Sequence, residues 1–210
     1  MKHSVFLSHV TWSESQTYYY LLQLSFEEQR QAQQYHHPLR LRAFVASRLL
    51  LKKSLNRLEQ SDRDWTFSKI NGRLTIDSPN NHWFISLSHT NDWIACLLSP
   101  QQFCGIDLEQ KLAKPRFMAI ARRFYSQQEY LYLKQLPEAN AFSIFLDWWT
   151  RKEACIKAWH VGIAHHLNRI IFNSTQLPPI IYPEEFKDKV LTVHTISRDD
   201  LQLACAVHDT

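Results

Sequence analysis

Two acidic side chains lie two residues apart in the segment Gly105-Ile-Asp-Leu-Glu109. Successive side chains of a β-strand point to opposite faces, so an extended segment would place Asp107 and Glu109 on one face and Ile106 and Leu108 on the other. Carboxylates this close repel each other unless a cation lies between them, and their oxygens are the ligands that hard cations such as Mg²⁺ prefer. The pair indicates a divalent-cation site, but a solvated acidic strand end would show the same pattern.

A third carboxylate lies in a later segment with helical spacing. The apolar row of that segment consists of Phe142, Leu146, Trp149 and Ile156. Glu153 occupies the missing place in the row, on the packing face of the helix. Because burying an unpaired carboxylate is costly, Glu153 is predicted to meet a cation, which can be a metal shared with Asp107 and Glu109. Lys157 lies one turn further along. An ordinary surface Glu–Lys pair would explain both charges but not the apolar row.

The elements that must position these residues alternate between helices and short strands. Capping-box patterns at Ser25 to Glu28 and Ser126 to Glu129 predict helix starts, and helical spacing predicts long helices over 40–58 and 142–159. Asn71-Gly72 is a strong signal for a β-hairpin with strands over 66–70 and 73–76. Further strands are predicted over 83–88, 93–98, 103–108, 190–196 and 201–207. This order predicts an α+β fold with two similar halves, residues 1–104 and 105–210.

Composition limits the class of protein. The 210 residues are 45% hydrophobic and 21% charged, as in soluble globular proteins. The longest aliphatic runs are too short to cross a bilayer and the first residues lack a signal-peptide pattern, so we expect a cytoplasmic protein without a membrane partner, and a monomer. The net charge of +4 is carried by scattered basic pairs, so nucleic acid is not an expected partner. The four separated cysteines predict buried, reduced thiols.

Four segments carry polar residues in a fixed order: Phe84-Ile-Ser-Leu-Ser-His-Thr90, Gly105-Ile-Asp-Leu-Glu109, Arg123-Phe-Tyr-Ser-Gln-Gln-Glu129 and Trp149-Thr-Arg-Lys-Glu-Ala-Cys-Ile-Lys157. With Asn71-Gly72-Arg73 upstream, they resemble the motifs of the 4'-phosphopantetheinyl transferases of the surfactin type. Each motif alone is only moderately specific. Their common order across residues from about 40 to 165 makes the set specific and covers most of the chain.

The resemblance implies two pseudo-symmetric halves, each a small, mostly antiparallel sheet packed with a long helix. It implies magnesium-dependent transfer of the 4'-phosphopantetheine arm of coenzyme A to a serine of an acyl or peptidyl carrier protein, with release of 3',5'-ADP. The implied metal ligands are Asp107, Glu109 and Glu153. Glu153 would also help to deprotonate the serine, and Lys157 would meet the phosphates and the leaving oxygen. The positions that match coenzyme A contacts are Arg73, Ser88, His89 and Lys152, with Arg42 or Arg48 for the 3'-phosphate.

Departures from the family pattern leave other hypotheses open. Ala43 and Ser47 stand where the family has an arginine and a glycine, so the choice between Arg42 and Arg48 stays open. His160 stands in place of a motif glycine. The alternative function is therefore a catalytically impaired coenzyme A-binding protein of the same fold. A further hypothesis, a zinc or nickel site made by histidines at 36, 37, 160, 165 and 166, lacks any ligand spacing.

Overall fold

The structure, a computed structural model, describes residues 2–79, 81–112, 115–162, 166–172 and 181–208. The chain divides into two compact units, Met1–Pro100 and Gln101–Thr210, a boundary four residues from the predicted one. Both units contain helices and a small antiparallel sheet, so the predicted α+β class is confirmed. All four cysteines are buried, as predicted. Within the described ranges, no helix has both the length and the apolar character that crossing a membrane requires.

The first unit is built around a long helix and a three-stranded sheet. Its elements are β1 (Ser4–His9), α1 (Glu14–Leu21), α2 (Phe26–Ala32), α3 (Pro38–Glu59), β2 (Phe67–Ile70), β3 (Arg73–Ile76), β4 (Phe84–Thr90) and β5 (Trp93–Ser99). The sheet order is β1-β5-β4, all antiparallel. Strands β2 and β3 form the predicted hairpin, because Asn71 and Gly72 both adopt the positive φ angles, 51° and 80°, that a two-residue type I′ turn requires.

The second unit repeats this arrangement. Its elements are β6 (Cys104–Gln110), α4 (Phe117–Phe124), α5 (Gln127–Lys134), α6 (Glu138–Trp159), β7 (Thr192–Arg198) and β8 (Leu201–Val207), with 3-10 turns at Leu167–Arg169 and Glu184–Phe186. The sheet order β6-β8-β7 has the same connectivity as β1-β5-β4. In each unit a helix of 22 residues, α3 or α6, precedes the last two strands of the sheet. The predicted pseudo-symmetry of the two halves is therefore confirmed.

Local signals set the ends of the long helices and the starts of the short ones. Both predicted capping boxes are present: Ser25 caps α2 with Glu28, and Ser126 caps α5 with Glu129. The two long helices end alike, on non-glycine residues in the left-handed conformation, Gln60 after α3 (φ 48°) and His160 after α6 (φ 61°). A left-handed residue ends a helix because its amide can bond back to the last turn.

Gly105 allows helix α6 to lie directly against strand β6. A Cβ atom at position 105 would lie 2.0 Å from the carbonyl oxygen of Ala154 and 2.6 Å from the amide nitrogen of Ala158. Both obstacles are backbone atoms, which cannot rotate out of the way as a side chain could. The small Ala154 and Ala158 complete this close contact, and both are fully buried. The contact brings the helix turn from 153 to 158 next to the strand residues that follow Gly105.

We predict that Gly105→Ala lowers the free energy of unfolding by about 1–3 kcal/mol, because the added methyl group overpacks the contact between α6 and β6. Urea denaturation measures the change. Gly162→Ala is the matched control, since a Cβ at Gly162 would have nothing within 4 Å. Equal stability of the two variants would show that the backbones of α6 and β6 do not approach this closely.

Candidate active site

Asp107 of β6 and Lys157 of α6 form a close contact between charged groups. Asp107 is only 5% exposed. Its Oδ1 atom lies 2.7 Å from Nζ of Lys157. The same ammonium group donates a hydrogen bond of 3.0 Å to the carbonyl oxygen of Ile106. Because the Lys157 side chain is still 29% exposed, a ligand can reach a cation that the strand already holds in place.

The two other acidic residues of the predicted site lie on the same two elements. Glu153 is 7% exposed, one turn before Lys157 on α6, so its predicted place on the packing face is confirmed. Glu109 is half-buried and follows Asp107 by two residues on β6, which puts both on one face of the strand. The structure thus brings Asp107 and Lys157 into contact and places Glu109 and Glu153 on the elements that carry this pair.

The residue types at this site fit a magnesium ion, since carboxylate oxygens are its preferred protein ligands. In the described residues, however, no group of three or more His, Cys, Asp or Glu side chains is arranged to hold a metal ion. The Lys157 ammonium group provides the positive charge beside Asp107 in this conformation. Shared ligation by Asp107, Glu109 and Glu153 therefore stays a prediction. The histidine cluster is not found among the described residues, and His165 lies outside them.

Lys152, which was predicted to contact coenzyme A, is held by partners within the chain. Its ammonium group is fully buried and donates three hydrogen bonds, to Glu129 Oε2 (2.7 Å) and to the carbonyl oxygens of Leu167 (2.9 Å) and Ile170 (2.6 Å). An ammonium group has three donors, so none remains for coenzyme A. In this conformation Lys152 is therefore held by partners within the chain, and its contact with coenzyme A stays a prediction. Burial lowers the pKa of Lys152, and the charge of Glu129 opposes that shift.

Glu129 closes the predicted capping box and also pairs with Lys152. One of its oxygens closes the capping box on Ser126 and also accepts the hydrogen bond from Lys152. The Lys152 ammonium group lies 4.5 Å from the ring centre of Tyr125, which adds a cation–π contact. Lys152 and Glu129 therefore fix the start of α5 and the chain near Leu167 to the helix that carries Glu153 and Lys157.

A cavity of about 500 Å³ lies entirely within the first unit. This volume is within the range of about 300–1,000 Å³ that is typical of small-molecule sites. Residues of α3, the β2–β3 hairpin and β4 line it, and the described lining includes four basic side chains and no acidic one. The basic residues are Arg40, Arg48, Lys69 and His89. This composition favours an anionic ligand.

The predicted coenzyme A contacts divide into two groups. Ser88, His89 and Arg48 line the cavity. Arg73 lies outside the described lining, with its guanidinium group 6.0 Å from the ring centre of Phe84. Arg42 also lies outside it. These positions leave Arg48 as the only member of the predicted pair that reaches the cavity.

The partners of Arg42 and Arg48 explain this difference. Arg42 forms an ion pair with Asp92 and donates a hydrogen bond of 3.2 Å to the carbonyl oxygen of Trp12, so its guanidinium group already has partners within the chain, and its contact with the 3'-phosphate stays a prediction. Arg48 packs 4.7 Å from the ring centre of Phe44, and its Nε lies 3.6 Å from an oxygen of the buried Glu28. Burial lowers the pKa of Arg48, and Glu28 acts in the opposite direction. Arg48 thus lies beside an anionic side chain of the protein itself.

Sequence reasoning missed two of the basic residues in the cavity, Arg40 and Lys69. Each carries a signal that could have been used. Arg40 lies in the first turn of α3, where a positive charge opposes the helix dipole and is normally unfavourable. Lys69 follows the buried Phe67 by two residues on β2 and so lies on the same face of the strand, where a charge follows an apolar side chain. In both cases a basic residue occupies a position that its local surroundings disfavour, the start of a helix for Arg40 and an apolar strand face for Lys69.

Comparison with known proteins gives the family. Residues 103–206 match the family model described as the 4'-phosphopantetheinyl transferase superfamily. The chain is 30% identical over 152 residues to the protein slr0495 of Synechocystis sp. (70% of this chain, 61% of that protein) and 29% identical over 145 residues to the 4'-phosphopantetheinyl transferase HetI of Nostoc sp. (67% and 61%). It is 26% identical over 144 residues to the 4'-phosphopantetheinyl transferase Sfp of Bacillus subtilis (67% and 62%).

The two-unit fold and these matches agree on the class: residues 103–206 carry a domain of the 4'-phosphopantetheinyl transferase superfamily, and the chain is similar to members of that superfamily. The matched region of this chain spans about three fifths of the length of these three relatives. The part that matches the family model contains β6 and α6, and so Asp107, Glu109, Glu153 and Lys157.

We predict that Lys152→Ala lowers the free energy of unfolding by about 3–5 kcal/mol, because it leaves the Glu129 carboxylate buried without its cation. Urea denaturation tests this, with the exposed Lys187→Ala as the control. The double variant Glu129→Gln/Lys152→Met should be less destabilised than Lys152→Ala, since it removes both charges. A Lys152→Ala protein that keeps its stability but loses affinity for coenzyme A would support the ligand role of Lys152.

Proposed function

We propose that this protein is a holo-carrier-protein synthase that transfers the 4'-phosphopantetheine moiety of coenzyme A to a serine of an acyl or peptidyl carrier protein and releases 3',5'-ADP. The main observation in support is the 2.7 Å contact between Asp107 and Lys157, which lies inside the segment that matches the family model. Phosphoryl-type transfer depends mostly on positioning and on neutralising charge. A cation anchored to a strand that also carries two carboxylates suits this chemistry.

The cavity of the first unit binds the nucleotide end of coenzyme A. Its volume and its four basic side chains suit a ligand that combines an adenosine with phosphate groups. Ser88 and His89, at the end of β4, are polar groups of the lining that can hydrogen-bond to phosphate oxygens. Phe44 and Leu74 provide apolar surface for the base.

Asp107, Glu109 and Glu153 are the residues that would hold a magnesium ion. All three supply carboxylate oxygens. Two of them lie on β6 and the third lies on α6, which packs against that strand. When bound, the ion would neutralise charge on the pyrophosphate of coenzyme A.

The protein's own residues complete the transfer. The serine oxygen of the carrier bonds to the phosphorus next to the pantetheine, and its proton passes to a carboxylate, for which the buried Glu153 is the candidate. The bond from that phosphorus to the bridging oxygen breaks, and the bridging oxygen leaves with 3',5'-ADP. Lys157 offsets the negative charge that develops on this oxygen, because its ammonium group is anchored on β6 yet partly exposed.

The transfer itself is tested by intact mass spectrometry. Purified protein, coenzyme A and magnesium are mixed with each of a panel of apo acyl and peptidyl carrier proteins. We expect at least one carrier to gain the mass of one phosphopantetheine arm, and EDTA to prevent the gain. A folded protein that binds coenzyme A by calorimetry but modifies no carrier would instead support the alternative, a binding protein without turnover.

For the roles of Glu153 and Lys157, we predict that Glu153→Gln and Lys157→Ala each lower kcat by about 10²–10⁴-fold, because each removes a group that acts in the transition state. The controls are Glu138→Gln, at the exposed start of the same helix, and Lys187→Ala, on the surface. Circular dichroism checks that the variants remain folded. Turnover equal to that of the parent in either site variant would contradict its assigned role.

A further inference from the structure

Three polar side chains of the second unit form a largely buried network between helix α6 and strand β8. Asp147 of α6 uses both of its carboxylate oxygens: Oδ2 accepts from Nη2 of Arg151 at 2.7 Å, and Oδ1 accepts from Nε2 of Gln202 at 2.9 Å. Arg151 is 7% exposed and Gln202 is 5% exposed. The guanidinium group of Arg151 also lies 5.6 Å from the ring centre of Phe172. These three polar residues, the Asp147 network, therefore tie α6 to β8.

Stability alone does not explain the Asp147 network. The Nε and Nη1 atoms of Arg151 are buried, and within the described residues neither has a hydrogen-bond partner. A buried donor without a partner costs about 1–3 kcal/mol. Replacing a buried ion pair by apolar side chains of similar volume is often neutral or even stabilising. The charges of the network are therefore better explained by a role in fixing local geometry.

The Asp147 network lies at one end of the contact between α6 and β6. Gly105 lies at the other end, where its Cβ position would face the backbone of α6 at Ala154. Because side chains alternate along a strand, Asp107 and Glu109 lie on the same face of β6 as this position. Gln202 is the residue of β8 that is paired in register with Glu109, so it shares this face too. The hydrogen bond from Gln202 to α6 is therefore made beside Glu109.

Two contacts at separate points fix the orientation of a helix on a strand. From position 105 to position 109 the strand extends about 13 Å, and from position 154 to position 147 the helix extends about 10 Å, so the two contacts have a similar spacing on both elements. Glu153 lies between these contacts on α6, and Asp107 lies between them on β6. Gly105 and the Asp147 network together therefore set the separation between the acids of the strand and the acid of the helix.

We infer that the residues of the Asp147 network are positioning residues: they hold Glu109 and Glu153 at the spacing that a small ion needs, and so make the acidic site selective for Mg²⁺ over Ca²⁺. This inference rests on the proposed function, in which these carboxylates hold a magnesium ion. Mg²⁺ requires near-ideal octahedral geometry with bonds of about 2.0–2.1 Å, whereas Ca²⁺ accepts flexible geometry with bonds of about 2.3–2.6 Å. A site whose carboxylates can move apart therefore loses affinity for Mg²⁺ first.

The test is calorimetric titration of Mg²⁺ and of Ca²⁺ into the protein in the presence of coenzyme A, with binding to coenzyme A alone subtracted. Gln202→Leu removes the hydrogen bond to Asp147 and keeps the approximate size of the side chain. We expect this variant to bind Mg²⁺ about tenfold more weakly or worse, as for other residues that orient metal ligands, and to lose less affinity for Ca²⁺. The ratio of the two affinities is measured within one protein, so a partly unfolded sample would not change it.

Two further variants separate geometry from stability. The triple variant Asp147→Leu/Arg151→Met/Gln202→Leu replaces the network by apolar side chains of similar size, so thermal unfolding should show a stable protein while the preference for Mg²⁺ is lost. Gln110→Leu is the matched control. Gln110 lies on the opposite face of β6 from the acids, and its amide donates a hydrogen bond of 2.7 Å to Asp200. We expect this control to keep the ratio of the parent protein.

The contrary results are distinct. An unchanged ratio in Gln202→Leu, an equal fall of the ratio in Gln110→Leu, or a parent protein without preference for Mg²⁺ would each overturn the positioning role. In these cases the parent protein would still bind a divalent ion and modify a carrier, so the proposed function would stand. A parent protein that binds neither ion and modifies no carrier would overturn the proposed function together with this inference.

Discussion

The contact between Gly105 and the backbone of α6 is the constraint on which the acidic site depends. The strand and the helix lie so close at this point that position 105 has no room for a methyl group beside Ala154 and Ala158. This distance is what lets the Lys157 ammonium group reach both the Asp107 carboxylate and the Ile106 carbonyl oxygen. A helix held further away by larger side chains would leave a buried Asp107 beyond the reach of Lys157, and a lone buried carboxylate is strongly unfavourable.

The two units use the same device behind their sites. In each one, a buried glutamate closes a capping box and pairs with a lysine of the long helix: Glu28 with Lys52 at 3.2 Å, and Glu129 with Lys152 at 2.7 Å. Lys52 and Lys152 occupy the same position along helices of equal length. The networks then differ. Glu28 also faces Arg48 of the cavity, whereas the second lysine is satisfied by backbone carbonyl groups. The same kind of buried glutamate–lysine pair thus supports the cavity in the first unit and the acidic site in the second.

Local patterns predicted most of the fold and part of the site. Capping boxes, the Asn71-Gly72 turn and helical spacing are short-range signals, and the elements that they predicted are present. Strand β1 was missed because none of its residues is buried, although half-buried and exposed positions alternate along it, and α1 was missed because Thr17 is its only residue described as buried. Lys152 and Lys157 are both on α6, and their roles depend on partners far away in sequence. Such partners are set by tertiary packing, which spacing along one helix does not report. The choice between Arg42 and Arg48 depends on such partners too, since Arg42 pairs with Asp92 and Arg48 lies beside Glu28.

The left-handed backbone at His160 changes how its departure from the family motif is interpreted. A motif glycine suggests that the chain needs a positive φ angle there, and His160 adopts that angle at 61°. The substitution therefore preserves the path of the chain at the end of α6, at a conformational cost of about 1 kcal/mol. Its ring stacks on Phe103 with centres 6.0 Å apart, so the side chain is also accommodated. The replacement of this glycine therefore bears on local stability and not on the chemistry of the site. The residue type differs from that of the family motif, while the backbone geometry at the end of α6 is kept.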